Sequence, residues 1–483
     1  MGLMLERELK LEFEPGDRAR LEAAIAPKPA PRSRHLVTTY FDTPGRDLLK
    51  AGYTLRVRQN GKHYIQTVKQ AGTTSAGLFE RPEWEHPLAE PQPRFEARSG
   101  PIVGAVGARK LTRIKPAFVT DVRRRTFRVA SPDSDIEIAV DEGEIRAGEL
   151  CEPLSEIELE HRAGSIGQMF DLARRLNEVV PLRLGVRAKS ERGYSLNGDP
   201  RSAALKAEPI TLDRDGDARD AFRAIAQACI RHFRLNEALL SRSGDAEALH
   251  QARVALRRLR SAFSIFGHLL GNDRKVVLLR AELRWLAAEL GEVRNLDVLI
   301  GHLDGDARDQ LSAARARTFA QVQVELASAR TRLLMIDLAE WLAVGPWRAL
   351  PDDPAKADGT AKHFAGARLD ALWERLERDG KKLAAIGDEQ RHKVRIEAKK
   401  LRYAAEFFTS LYGTDKARRR YRRFTKRLEA LQDLLGVLND RVVGPQIAQL
   451  HGVDIVVPKK GSGGLRDGAE RAHDALMRTR RFW

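Results

Sequence analysis

Up to about residue 198 the apolar and polar positions alternate in short runs broken by Gly, Pro and Asp, as in Leu55-Arg56-Val57-Arg58, Thr67-Val68-Lys69, Asp135-Ile136-Glu137-Ile138-Ala139-Val140 and Glu156-Ile157-Glu158-Leu159-Glu160. A period of two is that of β-strands. From about residue 217 the pattern changes to Ala, Leu, Arg and Glu at spacings of three and four, in runs at 218–241, 247–270, 275–302, 307–343, 360–385, 389–412 and 415–440. That spacing predicts a helical bundle. Pro200, Pro209 and Gly216 lie between the two textures, so Asn197 to Asp217 reads as a connection. The division gives a β domain over 1–199, a linker over 200–216 and a helical domain over 217–483.

The 483 residues, 42% hydrophobic and 31% charged, are enough for two domains with their own cores. The net charge is +17, and residues 201–483 carry +14 of it. A polyanionic partner or an anionic membrane surface is expected for the helical half, and charge alone does not choose between them. Two cysteines, Cys151 and Cys229, are too few for a disulfide framework and suit a reducing cytoplasm. The chain opens without a signal-peptide pattern, and no apolar run approaches the length of a membrane span.

On the strand half, Glu6, Glu8 and Lys10 alternate and so share one face, as do Arg56 and Arg58, Thr67 and Lys69, Glu83 and Glu85, and Glu156, Glu158 and Glu160. One such face is ordinarily a wet one. Repeated on every strand of a closed barrel, these faces would line a common interior with acids and bases. The occupant that suits such an interior is a polyanion with divalent cations, held by Arg and Lys on one side and carboxylates on the other. His35, His63, His86 and His161 have no ligand spacing and are expected on the surface or in packing.

These segments carry a resemblance. Glu6-x-Glu8-x-Lys10, Tyr40-Phe41-Asp42-Thr43, Leu55-Arg56-Val57-Arg58, Thr67-Val68-Lys69, Glu156-Ile157-Glu158 and Lys189-Ser190-Glu191-Arg192-Gly193-Tyr194, in this order, resemble the CYTH, or triphosphate tunnel metalloenzyme, superfamily. The resemblance implies an eight-stranded antiparallel tunnel that hydrolyses a triphosphate with Mg²⁺ or Mn²⁺. It implies metal ligation by Glu6, Glu8, Asp141, Glu156 and Glu158, and phosphate binding by Lys10, Arg56, Arg58, Lys69, Arg124, Lys189 and Arg192. The catalytic set would be Glu6, Glu8, Lys10, Glu156 and Glu158. Arg123, Arg124 and Arg125 are consecutive, and the spacing to Phe127 selects Arg124.

In the helical half, His250, Arg253, Arg257 and Arg260 fall on one helical face beside a stripe of Ala252, Leu256, Leu259, Phe263 and Phe266. The arrangement returns 142 residues later at His392, Arg395, Lys399 and Arg402, and 250–266 matches 392–408 at six of seventeen positions. Leu290-Gly291-Glu292-Val293-Arg294-Asn295-Leu296-Asp297 and Leu435-Gly436-Val437-Leu438-Asn439-Asp440 follow as a second echo. The pattern is an internal duplication of a multi-helix unit. Asp297 and Asp440 are candidates to anchor some of the cations.

This half resembles the CHAD domain, which implies two four-helix repeats binding inorganic polyphosphate. Carried over, the ligands are His250, Arg253, Arg257, Arg258, Arg260, His392, Arg395, Lys399, Lys400 and Arg402. Asn295 departs from the acidic residue that the resemblance leads one to expect. Nucleic acid is the less favoured polyanion, because Phe263, Phe266 and Phe408 belong to the core stripe and leave few aromatics for base stacking. The expectation is a two-domain α+β cytoplasmic protein, associated with polyphosphate granules, that cleaves tripolyphosphate to pyrophosphate and phosphate. Class IV adenylate cyclase, a thiamine or nucleoside triphosphatase, and a non-catalytic polyphosphate scaffold stay open as alternatives. Pro458 to Gly464 reads as a flexible connection before a last short helix.

Overall fold

The computed structural model describes residues 2–25, 32–70, 76–95, 101–196, 203–271, 273–348, 359–455 and 462–483. Residues 197–202 of the expected linker, and 456–461 ahead of the last helix, lie outside the described residues. The chain divides into two compact units, residues 1–203 with 327–345, and residues 204–326 with 346–483.

In the first unit the strands are β1 (Gly2–Glu12), β2 (Arg32–Asp42), β3 (Tyr53–Asn60), β4 (His63–Gln70), β5 (Leu78–Leu88), β6 (Lys115–Ser131), β7 (Ser134–Ala147), β8 (Leu150–Gly164) and the two-residue β9 (Arg183–Leu184). Their order is β5-β4-β3-β2-β6-β7-β8-β1, and β5 pairs again with β1. Eight antiparallel strands therefore close into a barrel, with β9 added beside β1 at Leu11↔Leu184. Closure removes the sheet edges, and the period of two sends every second side chain inward.

The inward residues are the charged ones. The core lies on the outer face, where Phe41, Leu55, Val57 and Val68 cluster with Ile102 and Leu111. At one end the inward face is apolar instead: Tyr40, Phe118, Val122 and Ile145, in step with the inward Arg56 and Arg124, cluster with Tyr194 and Leu196. The unit also carries α1 (Ile166–Val179) and α2 (Lys189–Leu196), besides shorter helices at Arg18–Ile25, Asp47–Lys50, Pro101–Val106 and Ala108–Leu111.

The remaining helices are α3 (Ala218–Ser243), α4 (Ala246–Ile265), α5 (Arg274–Ile300), α6 (Gly305–Ala327), α7 (Ala329–Val344), α8 (Ala361–Asp379), α9 (Asp388–Phe408), α10 (Asp415–Leu450) and α11 (Ser462–Met477). The run 307–343 is two helices rather than one. Ser328 ends it by capping α7, its hydroxyl accepting from the Thr331 N–H. Helix α7 belongs to the first unit, where Asp337 and Glu340 hold Arg174 of α1 and Arg332 donates to Asn177 at 2.8 Å. The described part of the linker is fixed to the helical unit, since the Leu205 N–H donates to Asn236 and the Leu212 N–H to Ser410. No helix among the described residues is long and apolar enough to cross a membrane.

In the helical unit α4 and α9 face each other. Phe266 and Phe408 bring their rings to 5.8 Å, and the stacked pair Phe266–Phe364 continues the core. The aromatic residues beside both motifs, Phe263, Phe266, Phe407 and Phe408, are all buried.

Candidate functional site

Register places the charges. Lys10 stands opposite Glu158 between β1 and β8, Asp141 opposite Glu156 between β7 and β8, Arg124 opposite Asp141 between β6 and β7, and Lys69 opposite Glu83 between β4 and β5. Directly opposed residues share a face of the sheet, so each pair points into the barrel. The result is a cavity of about 440 Å³ lined by eight Lys or Arg and seven Glu side chains. The wall is nearly self-neutral, and most of its buried charges are met by an opposite one.

At its centre Arg124 binds Asp141 in a bidentate fork, at 2.7 and 2.6 Å, and reaches Glu158 at 2.5 Å. Lys189, from the first turn of α2, lies 2.8 Å from both Asp141 and Glu158 and also pairs with Glu156. Lys10 pairs with Glu158 and stands 3.3 Å from Glu8 and 3.5 Å from Glu156. Burial works against all these charges, and the partners overcome it. Asp141 is held at about 2 by Arg124 and Lys189, Glu158 well below the carboxylate range by Lys10, Lys189 and Arg124, and Lys10 above its usual value by Glu158, Glu8 and Glu156.

Asp141, Glu156 and Glu158 bring one oxygen each within 4.8 Å of one another, a group able to hold a cation. Glu6 and Glu8, expected in the same ligand set, stand outside that group. Glu6 is bound by Lys69 at 2.5 Å, and Glu8 by Arg81 at 2.8 Å.

Arg56 and Arg58 lie on one side of the cavity, and they differ. Arg56 has Glu83 at 3.5 Å, whereas Arg58 has no carboxylate within ion-pair range among the described residues. Arg56 first, then burial, then Arg124 push the Arg58 guanidinium down to about 10. Toward Arg162 the balance reverses: burial, followed by Glu6, Glu137 and Glu8, pushes the Glu160 carboxyl up to about 7 against the pull of Arg162.

Of the three consecutive arginines Arg124 turns inward, while Arg125 pairs with Glu22 and Glu142. Arg192, expected among the phosphate ligands, is buried and donates to Glu152 and the Pro153 carbonyl, and it does not line the cavity. Arg81 and Arg162 are the cavity cations that the sequence reading passes over. Their signal is there, since Arg81 shares the parity of Glu83 and Glu85, and Arg162 that of Glu158 and Glu160. The four histidines stay outside the cavity; His35 meets Asp121 and His161 meets the Gly164 carbonyl.

Two of the six motifs do structural work. Asp42 accepts from the N–H groups of Thr43, Leu48 and Leu49 and from the Tyr194 hydroxyl at 2.8 Å, tying the end of β2 to α2. A Cβ at Gly193 would overlap the Phe118 ring, so only glycine lets α2 lie this close to β6. Gly193→Ala is expected to destabilise the protein by about 1–3 kcal/mol, as overpacking does, and to lower the urea midpoint. An unchanged midpoint would show that Phe118 does not set the seat of α2.

The second constellation lies in the helical unit. Arg253 and Arg257 of α4 and Arg395, Lys399 and Arg402 of α9 converge, with Arg257 donating to the Tyr403 hydroxyl at 2.5 Å. Burial, then Arg257, Arg395, Arg253 and Arg402, push the Lys399 amine down to about 7. Burial, then Arg257 and Arg294, lower Arg253 to about 10. Arg294 of α5 is an addition to the expected set.

The other expected ligands are placed differently. Arg258 is 7% exposed, lies 5.0 Å over the Phe407 ring and pairs with Glu406, so it joins α4 to α9 inside the unit. Arg260 is exposed beside Arg284, Lys400 pairs with Glu397 at 2.7 Å, and His392 meets Asn439 at 2.8 Å. His250 sits half-buried among Arg294, Arg257 and Arg253. Asp440 faces Arg395, whereas Asp297 pairs with Arg315, and Asn295 accepts from Arg253 at 3.4 Å.

Comparison with known proteins follows the same division. Residues 4–194 match the CYTH domain and residues 224–449 the CHAD domain. The chain is 32% identical over 198 residues to the inorganic triphosphatase of Haemophilus influenzae, covering 40% of this chain and 55% of that protein's length. A crystal structure of the CHAD domain from the plant Ricinus communis is 29% identical, with a TM-score of 0.44, and covers 57% of this chain and 93% of that one. A Hippeastrum protein, named as an adenylyl cyclase and described as having a dominant triphosphatase activity, is 18% identical with a TM-score of 0.33 over 39% of this chain and 95% of its own. The chain thus carries a CYTH domain followed by a CHAD domain.

Proposed function

We propose that the tunnel hydrolyses inorganic tripolyphosphate to pyrophosphate and phosphate with Mg²⁺ or Mn²⁺. The observation that carries this reading is Arg58, a cavity-lining guanidinium repelled by Arg56 and Arg124 and lacking a carboxylate of its own among the described residues. A phosphoryl chain beside Arg56, Arg58 and Arg124 relieves that repulsion. Lys10, Lys69 and Lys189 bind the remaining oxygens, and Arg81 joins them. Phosphoryl transfer needs positioning and charge neutralisation above all, so no side-chain nucleophile is required.

The all-carboxylate donor set of Asp141, Glu156 and Glu158 fits a hard divalent cation, and Glu6 and Glu8 complete the acidic side of the cavity. When bound, the ion supplies charge neutralisation and a water of lowered pKa. Lys10 and Lys189 orient the carboxylates, and Arg124 fixes Asp141 and Glu158 in the rotamers seen. Among the described lining residues Tyr40 alone is aromatic, and its hydroxyl is engaged by Arg56, which leaves a nucleobase or thiazole nothing to stack on.

In the helical unit, Arg253, Arg257, Arg395, Lys399 and Arg402 form the polyphosphate site, with His250 and His392 at its margin. The helices α3–α6 and α8–α11 are the two four-helix repeats, which the Phe266–Phe408 contact between equivalent positions supports. Holding polyphosphate there raises the local concentration of phosphoanhydride chains. Two free thiols suit the cytoplasm, where polyphosphate granules would recruit the chain.

The test is release of phosphate and pyrophosphate from tripolyphosphate, ATP and thiamine triphosphate with Mg²⁺ or Mn²⁺, for wild type and Glu8→Ala. Tripolyphosphate is expected to be strongly preferred and its turnover nearly lost in the variant. Cyclic AMP from ATP would replace this reading with a cyclase, and binding of all three without turnover would replace it with a scaffold.

A further inference from the structure

Helix α10 carries a second cationic surface that neither proposed site uses. Arg418, Arg419, Arg422, Arg423, Lys426 and Arg427 recur at spacings of one and three, so they stand in two parallel rows, 418-422-426 and 419-423-427. All six are exposed, while Ala417, Phe424, Leu428 and Leu431 bury the opposite side of the helix. No acidic residue interrupts 418–427. Among the described residues only Arg418 has a carboxylate in range, the exposed Asp415 at 3.8 Å.

Helix α10 runs antiparallel to α9, since Gln432 donates to the Ala398 carbonyl and Asn439 meets His392. Residues 432–440 therefore lie beside the His392–Ala398 stretch of α9, and 418–427 continue past its Arg402 end, with Tyr421 in the field of Arg402 and Glu406.

We infer that this stripe is a binding surface for the sugar-phosphate backbone of a nucleic-acid duplex, read without base specificity. Three features select this partner. The six cations span nine residue steps, about 14 Å of helix, against which a duplex presents about eight phosphates. The six cations stand exposed on one helix, so the partner has to supply the groove, as a duplex does. Lastly, no aromatic ring is fully exposed between the rows; Phe424 is buried and Tyr421 packs on Phe482, which removes the stacking platform that single strands use. Five of the six cations are Arg, whose planar donors suit phosphate oxygens.

The experiment uses the full chain and a fluorescein-labelled DNA duplex of mixed sequence, followed by anisotropy over a series of salt concentrations. Binding is expected to weaken with salt along a log–log slope of about −4 to −5 for some five phosphate contacts. The triple variant Arg419→Gln, Arg423→Gln, Arg427→Gln is expected to flatten that slope by about 3. The matching triple Lys variant is expected to restore it, and tripolyphosphate turnover and long-chain polyphosphate binding are expected to stay at wild-type level in both. Duplex binding with an unchanged slope in the Gln variant overturns the inference. So does loss of long-chain polyphosphate binding in parallel with duplex binding, which makes the stripe part of the polyphosphate surface. A stripe required for phosphatidylglycerol vesicles but not for duplex assigns it to a membrane and overturns it as well. Circular dichroism of the Gln and Lys variants separates each of these from misfolding.

Discussion

Glu158→Gln is expected to lower kcat for tripolyphosphate by at least about 10²–10³-fold, the loss typical of removing one preorganised electrostatic group. The size of the effect follows from how many roles meet on this carboxylate. Lys10, Lys189 and Arg124 all pair with it, and it is the member of the Asp141, Glu156, Glu158 group that lines the cavity. The amide is nearly the same shape and removes only the charge. The three buried cations then lose their shared partner and keep only Asp141, Glu156 and Glu8, and breaking a buried pair destabilises by about 3–5 kcal/mol. Tripolyphosphate brings replacement negative charge to the same cations, so it should recover much of the lost thermal midpoint while turnover stays low. A Mn²⁺ titration of activity should shift to higher concentration. Wild-type kcat in this variant would move the chemistry away from the barrel interior.

The barrel interior was legible because the signal is local. Glu6, Glu8 and Lys10, Arg56 and Arg58, and Glu156 and Glu158 each declare a face by parity alone, and closure turns those faces toward one another. Arg124 was legible for the same reason, since Phe127, three residues on, is buried on the outer face. Arg81 obeys the same rule and was missed only because no recognised motif covers its strand.

What parity does not report is the partner across the fold. Arg192 has the composition of a phosphate ligand and is turned to Glu152, forty residues away. Arg258 follows Arg257 directly, so it points about a quarter-turn around α4 into the Cys229, Glu406 and Phe407 neighbourhood, where it packs rather than waits for an anion. The allegiance of α7 was also hidden. Its apolar Leu334, Ile336, Leu338 and Leu342 state that it is buried, but the choice of α1 as neighbour depends on Arg174 meeting Asp337 and Glu340 across more than 160 residues. Asp42 and Gly193 show the converse. They belong to motifs that identify the family, yet they position α2 and thereby Lys189 and do not themselves line the cavity.

Lys399 makes the proposed polyphosphate site sensitive to pH. Buried against Arg257, Arg395, Arg253 and Arg402, with its amine lowered to about 7, it is about half neutral at pH 7 in the free protein. The other charged groups facing this cluster are Arg294 of α5, Asp440 of α10 and, at the margin, His250, whose affinity for protons is lowered by burial and Arg294 and which therefore titrates on the acid side. A polyphosphate chain reverses the sign of the local field and favours the ammonium form. Binding then takes up a proton, about half of one at pH 7, and affinity falls by up to tenfold per pH unit as pH rises above 7, until the raised value in the complex is passed. Titration calorimetry in buffers of different protonation enthalpy measures the uptake directly. Lys399→Arg, which holds its charge throughout, should bind with no proton uptake and a flat profile between about pH 7 and 9. A wild-type slope retained in Lys399→Arg would refute the role of this lysine, whereas an absence of polyphosphate binding at every pH would refute the site itself.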